Sequence, residues 1–261
     1  MRITEQTVAD ILKGYDRETA RLLLRKHFSD PQNIHIFAWF CFPEHFKDIT
    51  PEFHLELYEF AEESGFKALA APRGHAKSTT LDLGYAAWKV ANERAHFIII
   101  VSDTWSQAVE QVETLADALE NSQTFRWLYG ELRSRRWAHG DIETVTNIRI
   151  LARGQGQKIR GLKYREWRPD LVIVDDLEND EGVESFDRRK KLKRWFLKSL
   201  VPALSRHGQI IYAGTILHYD SLLNNAINRH GEFASWKSRI YKALNRDDDG
   251  NEYSLWPELW S

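Results

Sequence analysis

Two short apolar runs constrain the fold of this chain more than any other feature. They are "HFIIIVS" at 96–102 and "LVIV" at 171–174, the latter inside "PDLVIVDD". Neither run alternates apolar with polar residues, so both are predicted to be central strands that are covered on two faces, as in a parallel sheet. Further strands, the last of them a possible one, are predicted at "FKALAA", "NIRILARG", "GQIIYAGT" and "SWKSRIYKAL".

Amphipathic segments separate these strands. The clearest one follows residue 102 and has apolar residues at helical spacing along one face. That face consists of Ala108, Val112, Leu115, Ala116 and Leu119. Other helices are predicted from Lys77 to about Asn92, within 186–204 and within 218–230, whereas 122–146 has no regular pattern. Strands that alternate with helices predict the α/β class, with a mainly parallel central sheet flanked by helices.

Residues 1–65 are predicted to form a helical N-terminal segment that packs on a core formed by 66–261. Thr50 is expected to cap a helix that begins with Pro51 and stops at Gly65, because threonine, proline and glycine favour those three positions.

The charge balance excludes a globally basic protein. The chain has 36 Lys and Arg residues against 38 Asp and Glu residues, which gives a net charge of -2. Binding to nucleic acid would therefore require local basic clusters. The single cysteine, Cys41, excludes a disulfide framework. No apolar stretch reaches the ~18 residues of a membrane span, and no signal peptide is expected.

The loop "APRGHAKST" at 71–79 is a candidate phosphate-binding loop. Lys77 and Ser78 lie where a predicted strand passes into a helix, which is the setting of the pattern G-x-x-x-x-G-K-[ST]. The two glycine positions of that pattern hold Ala71 and Ala76. An alanine at 76 is acceptable if its φ is negative. An ordinary strand-to-helix loop with a lysine is the alternative.

Two carboxylates, Asp175 and Asp176, end the strand "LVIVDD". At the carboxyl edge of a parallel sheet, one carboxylate can hold the Mg²⁺ of a nucleotide and the next can orient or deprotonate a water. A third candidate is Gly214 and Thr215, which end the strand "IIYAGT" and could sense a γ-phosphate. Taken singly, each pattern is also typical of a strand that ends in a turn.

Taken together and in order, "APRGHAKST", "SDTWSQA", "IRG", "PDLVIVDDLENDE", "YAGT" and "LWPELWS" resemble the motifs of large terminase subunits, the DNA-packaging motor ATPases of tailed bacteriophages. The resemblance covers roughly residues 50 to 261. It implies a RecA-like ATPase domain of the additional-strand type. In that family a separate nuclease domain follows, and too few residues remain after Gly214 for one, so we expect no nuclease activity from this chain.

The resemblance also implies roles for individual residues. ATP and Mg²⁺ would be the cofactors, with Lys77 and Ser78 on the β- and γ-phosphates and with Ser78 and Asp175 on the metal. Asp176 would stand where the family usually has a catalytic glutamate. The remaining implied residues are Arg73, Gly74, His75, Ala76 and Thr79 in the loop, Arg160 presented to a neighbouring subunit's nucleotide, Phe53 or His54 on the adenine, and Gly214 with Thr215 as the coupling motif.

The partners implied by the resemblance are double-stranded DNA, the portal protein and the small terminase subunit. The chain would act in a homo-oligomeric ring in the host cell cytoplasm, without a membrane. Two basic clusters could contact DNA phosphates, "KIRGLKYREWR" at 158–168 and "RRKKLKR" at 188–194. A solvated helix face is the plainer interpretation of the second cluster. Backbone contacts would give strong salt dependence with little sequence preference.

Three other functions stay open at this stage. A helicase-type motor would need a second RecA-like domain, and the sequence has no second phosphate loop. A metal-dependent nuclease could use Asp175, Asp176, Glu178 and Asp180, which all lie on one strand end and its turn. A nucleotide-binding module without hydrolysis is the third possibility, because the loop lacks its glycines.

Overall fold

The computed structural model describes residues 2–47, 50–247 and 249–259. Its α-helices are α1 (Glu5–Gly14), α2 (Arg17–Phe28), α3 (Ile34–Cys41), α4 (Glu52–Glu62), α5 (Ala86–Ala91), α6 (Trp105–Asn121), α7 (Gln123–Tyr129), α8 (Asp180–Glu184), α9 (Phe186–Trp195) and α10 (Leu222–Ile227). π-Helical turns at Thr79–Tyr85 and Phe196–Leu200 precede α5 and follow α9, and short 3-10 turns lie at Pro31–Asn33, Val201–Ala203 and Gly231–Phe233.

The strands are β1 (Phe66–Ala70), β2 (Phe97–Ser102), β3 (Arg133–Ala138), β4 (Asp141–Thr144), β5 (Arg149–Gly154), β6 (Leu171–Asp175), β7 (Gln209–Gly214), β8 (Lys237–Ile240), β9 (Leu244–Arg246) and β10 (Glu252–Ser254). The first eight form one sheet in the order β3-β4-β5-β2-β6-β7-β1-β8, and β9 pairs with β10. From β5 to β8 in that order every pair is parallel, whereas β3 and β4 are antiparallel.

Apolar residues cover both faces of the central strands, as the unbroken runs predicted. In β2, Ile98 and Ile100 face one core cluster while Phe97, Ile99 and Val101 face the other. The first cluster lies under the N-terminal helices, α5, α6 and α7, and the second lies under α9 and α10. The predicted α/β class, with a mainly parallel sheet between two helical layers, is confirmed.

β7 is the strand that positions the functional edge. It comes late in the chain but is inserted between β1 and β6, which makes it the additional strand of the sheet. In register, Ala70 of β1 lies opposite Gly214, and Asp175 of β6 lies opposite Ala213. The loop after β1 and the acids after β6 therefore leave the sheet at the same level, one strand apart on each side of β7.

Two sequence expectations were wrong in detail. Residues 122–146 are regular, because they form α7 and the antiparallel strands β3 and β4, which Gly140 joins with a φ of +67°. Thr50 does not cap α4. That helix begins one residue later, with Pro51 at the capping position and no side-chain cap, because proline without an N–H precedes the first helical residue as readily as it occupies it.

Lys67 in β1 joins the N-terminal helices to the strand that leads into this edge. Its side chain is fully buried, and its ammonium group donates to the carbonyl of Ala61 at 2.6 Å and to that of Glu63, at the end of α4. A lysine there satisfies carbonyls that a helix end leaves without partners. Burial lowers the pKa of Lys67 to about 7, and the charge of Lys89 acts in the same direction.

We expect Lys67 to make the stability of the protein depend on pH. Its pKa falls from 10.5 to about 7 on folding, so unfolding takes up a proton between these values. The free energy of unfolding therefore rises with pH in that window, by up to about 1.4 kcal/mol per pH unit from this group. In urea unfolding at pH 7, 8 and 9, Lys67→Met should lose this rise. The exposed control Lys13→Met should keep it, and an identical slope in both variants would contradict the prediction.

Candidate functional site

The loop between β1 and the following helix has the geometry of an anion-binding loop. The N–H of Ala71 bonds to the carbonyl of Gly214 at 3.1 Å, which fixes the loop to the end of β7. Lys77 is buried, and its Nζ donates to the carbonyls of Ala71 at 3.3 Å and Pro72 at 3.1 Å. The ammonium group thus lies across the mouth of the loop at a helix N-terminus, where a phosphate would meet both.

Ala76 adopts a left-handed conformation, with a φ of +52°. The expectation of a negative φ was therefore wrong. The left-handed region costs an L-residue roughly 1–2 kcal/mol, which glycine avoids. Gly74 in the same loop has a φ of +75°. The loop keeps the backbone course that the glycine pattern serves, and Ala76 holds it under strain.

Asp175 at the end of β6 contacts the loop helix directly. The hydroxyl of Ser78 donates to Oδ2 of Asp175, and Nε2 of Gln111 in α6 donates to the same oxygen at 3.0 Å. Gln111 in turn accepts from the hydroxyl of Ser102 at 2.8 Å. The pKa of Asp175 is raised to about 6, chiefly because the carboxyl is buried and also because Asp176 is next to it.

A second buried acid, Asp82, lies beside Asp175. It belongs to the π-helical turn Thr79–Tyr85 and is 3% exposed. Within the described part of the chain, neither of its carboxylate oxygens has a hydrogen-bond partner, nor has Oδ1 of Asp175. Burial and the neighbouring Asp175 raise the pKa of Asp82 well above its ordinary value.

Asp176 is exposed on the other side of Asp175. Its backbone has a φ of +42°, and its N–H bonds to the carbonyl of Ala213 at 3.1 Å. The side chain lines a cavity of about 310 Å³ together with Ser78, Asp175, Gln111 and Glu110. A solvent-accessible carboxylate next to Ser78 and Asp175 is suitably placed to bind a water molecule beside a phosphate.

The hydroxyl of Ser78 and the carboxylate of Asp175 fit a magnesium ion. Mg²⁺ prefers oxygen ligands and is commonly held by one or two carboxylates together with substrate phosphates. Oδ1 of Asp175 is buried without a hydrogen-bond partner among the described residues, so this carboxylate has an oxygen to give to a cation.

Glu178 and Asp180 do not join this cluster. Glu178 accepts from the N–H groups of Leu222 at 2.7 Å and Leu223 at 2.9 Å, at the start of α10, and from the hydroxyl of Tyr212 at 2.9 Å. Asp180 pairs with Arg73 at 3.3 Å. No group of three or more His, Cys, Asp or Glu residues in the described ranges is arranged to hold a metal, so the geometry does not favour the nuclease alternative.

Gly214 and Thr215 contact both halves of the site. Thr215 donates through its hydroxyl to the carbonyl of Ala71 at 3.3 Å. A Cβ on Gly214 would lie 3.1 Å from Leu223 and 3.4 Å from Oδ1 of Asp176. The end of β7 is thus packed tightly between the phosphate loop, the acidic strand end and α10.

An aromatic cluster lies behind the loop. Phe53 and His54 are buried in α4, and the ring of Trp256 lies 6.0 Å and 5.0 Å from theirs. Nε2 of His54 lies 3.0 Å from the carbonyl of His75, and since a carbonyl only accepts, this nitrogen carries the proton. Burial lowers the pKa of His54 to about 4, which leaves its Nδ1 as an acceptor at neutral pH.

The remaining predicted residues lie at the rim. Arg73 is exposed, and its only printed charge partner is not a phosphate-loop atom but Asp180. Thr79 begins the π-helical turn after Ser78. Arg160 is exposed in the segment that joins β5 to β6, and no hydrogen bond or ion pair of the described residues joins it to the loop.

Sequence reasoning missed three residues of this region. Gln111 lies on the polar side of the amphipathic α6, and Asp82 lies four residues after Ser78 in a stretch read only as helix. Trp256 comes from a segment near the end of the chain that carried no contact prediction. The helical spacing of Ser78 and Asp82 was a usable signal, because residues four apart lie on one face.

Solved structures with this fold include phage terminases. The HK97 bacteriophage large terminase matches with a TM-score of 0.53 and 13% identity, over 77% of this chain and 41% of that one. The Thermus phage P74-26 large terminase ATPase domain matches with a TM-score of 0.50 and 14% identity, over 82% of this chain and 86% of that one. A mutant of that ATPase domain matches with the same TM-score and 13% identity.

At these identities the shared property is the fold, and the chain spans less than half of the HK97 protein. No protein-family model matches the sequence. No curated protein matches it either. No described helix has the length and apolar character needed to cross a membrane.

Ala76→Gly should stabilise the protein. It relieves the left-handed strain of about 1–2 kcal/mol, and glycine's greater freedom in the unfolded chain offsets about 0.4–1 kcal/mol of that gain. We expect a net rise of about 0.5–1 kcal/mol in the free energy of urea unfolding. The matched change Ala71→Gly, at a residue without a positive φ, should lower it. Equal effects of the two changes would contradict the strained conformation.

Proposed function

We propose that this chain is the ATP-hydrolysing motor domain of a viral terminase large subunit, which drives double-stranded DNA into a procapsid. The observation that carries the proposal is the contact between Ser78 and Asp175. It brings a Lys-Ser loop at a helix start and an Asp-Asp pair at a strand end together around the additional strand β7. The shared fold with phage terminase structures supports the same assignment.

The phosphate loop would bind the β- and γ-phosphates. Backbone N–H groups from Gly74 to Ser78 and the ammonium group of Lys77 supply the positive potential, and Lys77 would exchange its bonds to Ala71 and Pro72 for phosphate oxygens. Ser78 and Asp175 would hold Mg²⁺, which neutralises charge on the phosphates. Asp176 would orient the attacking water and accept its proton, from the cavity it shares with Glu110.

The adenine would bind against Phe53, His54 and Trp256. The Nδ1 of His54 offers an acceptor to the exocyclic amino group. The Nε1–H of Trp256 is buried without a hydrogen-bond partner among the described residues and offers a donor to a ring nitrogen. The cavity beside these residues is about 40 Å³, far below the ~300 Å³ at which small-molecule pockets begin, so the base enters only when the segment around Trp256 moves.

Gly214 and Thr215 would couple hydrolysis to movement, because they contact the loop, the water-side acid and α10 at once. Arg73 would leave Asp180 to meet the phosphates when nucleotide binds. Arg160, exposed and away from its own loop, would act on the nucleotide of a neighbouring subunit in a homo-oligomeric ring. The portal protein, the small terminase subunit and the host cytoplasm complete this proposal.

ATP turnover by the purified chain tests the proposal. Lys77→Ala should abolish turnover by weakening phosphate binding, and Asp176→Asn should abolish it while nucleotide affinity persists. An arginine supplied in trans is worth ~10³–10⁵ in rate, so turnover per molecule should rise with protein concentration, and Arg160→Ala should remove that rise. Turnover unaffected by Lys77→Ala would overturn the assignment. Binding without turnover in the unmodified chain would favour a module that only binds nucleotide.

Only part of the second basic cluster is available to DNA. Arg189 is tied to Asp220 at 3.2 Å and to the carbonyl of Val183, and Lys193 pairs with Glu232 at 3.4 Å. Lys190, Lys191 and Arg194 are exposed on α9. These three side chains are the candidates for contact with phosphates.

Binding of duplex DNA should depend on salt and not on sequence. Each phosphate contact contributes about -0.9 to the slope of log affinity against log salt. Replacing Lys190, Lys191 and Arg194 with alanine should reduce that slope by about 1 for each residue that contacts a phosphate. Fluorescence anisotropy on two unrelated duplexes measures this. The matched triple replacement of Lys13, Arg17 and Lys26, exposed on or beside the N-terminal helices, should leave the slope unchanged, and equal slopes in both triples would exclude α9 as a DNA surface.

A further inference from the structure

Asp82 is the most costly buried group near the site. Its side chain is almost completely buried, and its two oxygens lack hydrogen-bond partners within the described ranges. An isolated carboxylate in such surroundings loses several kcal/mol of hydration. Replacing it with an apolar residue would remove this cost, so its presence beside Asp175 needs a physical reason.

The neighbours of Asp82 increase the cost. The groups that act on it are its own burial, the carboxyl of Asp175 and the charge of Asp176, and all three oppose a negative charge on Asp82. Lys77 acts on Asp175, but it is not among the groups that act on Asp82. The described residues around Asp82 thus provide negative charge and no compensating cation.

The backbone holds Asp82 in this place. The residue lies in the π-helical turn that directly follows Ser78, and such turns are rare and often lie at functional sites. Thr80 secures the turn by donating through its hydroxyl to the carbonyl of Ala76 at 2.8 Å. Gly84 packs so closely on α4 that a Cβ would lie 2.5 Å from the hydroxyl of Tyr58. The helix therefore cannot rotate freely to expose Asp82.

We propose that Asp82 is a further carboxylate of the magnesium site, placed behind Asp175. Resting on the proposed nucleotide site, this inference gives the ion three oxygen-bearing side chains: Ser78 and Asp175 as ligands, and Asp82 as a positioning residue that adds negative charge and fixes Asp175. A divalent cation at Ser78 and Asp175 would provide the positive charge that the surroundings of Asp82 lack. Residues behind a metal ligand commonly set affinity by about 10–100-fold.

The test separates metal affinity from nucleotide affinity. Mn²⁺ binding to the protein with ADP is measured by the electron paramagnetic resonance signal of free Mn²⁺, and ADP binding in EDTA is measured by calorimetry. Asp82→Asn should weaken Mn²⁺ binding by about 10–100-fold. It should leave ADP affinity in EDTA unchanged or higher, because it removes a negative charge near the phosphates. A purely structural role would lower both affinities or neither.

Asp117→Asn is the matched control. It makes the same chemical change on an exposed residue of α6, and its Mn²⁺ affinity should equal that of the unmodified protein. A folded Asp82→Asn protein that binds Mn²⁺ within about twofold of this control would overturn the inference. If Asp82→Asn does not fold, Asp82→Ala leaves no polar group to bury and carries the same measurements with the same expectations.

Failure of the proposed function would be distinguishable from failure of this inference. If ADP affinity is the same with and without Lys77→Ala, the nucleotide site is not where we place it. In that case Mn²⁺ binding without nucleotide still tests Asp82, since the carboxyl pair exists in the protein alone. If ADP affinity depends on Lys77 while Mn²⁺ affinity ignores Asp82→Asn, only the role of Asp82 is excluded.

Discussion

The hydrogen bond from Ser78 to Asp175 is the contact on which the rest of the site depends. It joins the helix after β1 to the end of β6 across the intervening strand β7. Its geometry is possible because the register of β7 with both neighbours places Ala70 and Asp175 at the same height. Gln111 then holds Asp175 from the opposite helix. A shift of one residue in either pairing would turn Asp175 to the other face of the sheet and separate it from Ser78.

Two strained residues flank this contact. Ala76 and Asp176 both have left-handed backbones, one just before Lys77 and the other just after Asp175. Such conformations persist only where the surroundings fix them. Here the helix that starts at Lys77 and the bond from Asp176 to Ala213 supply that restraint. The strain places the lysine and the second acid on the solvent side of the sheet edge, where a nucleotide would meet them.

The sequence predicted the sheet and its helices well because their signals are local. Unbroken apolar runs marked β2 and β6, and residue periodicity marked α6. The pair of loop and acids was also predictable, since strand ends of a parallel sheet meet at one edge. The left-handed Ala76 was not, because φ at an alanine depends on how the loop is anchored at Gly214. Asp82 and Trp256 were missed for the same reason: their role lies in contacts between segments far apart in the chain, which periodicity does not encode.

The segment after β7 gives the site a mechanical connection. Thr215 is bonded to the loop, while Glu178, two residues beyond Asp176, is bonded to the start of α10. The loop, the acidic turn and α10 are therefore restrained by one short stretch, 213–223. In the proposed motor, a phosphate that leaves the loop would free Lys77 to return to Ala71 and Pro72, and Thr215 shares the carbonyl of Ala71 with it. The same carbonyl thus reports nucleotide state to β7, and α10 receives the change through Leu223, which packs on Gly214.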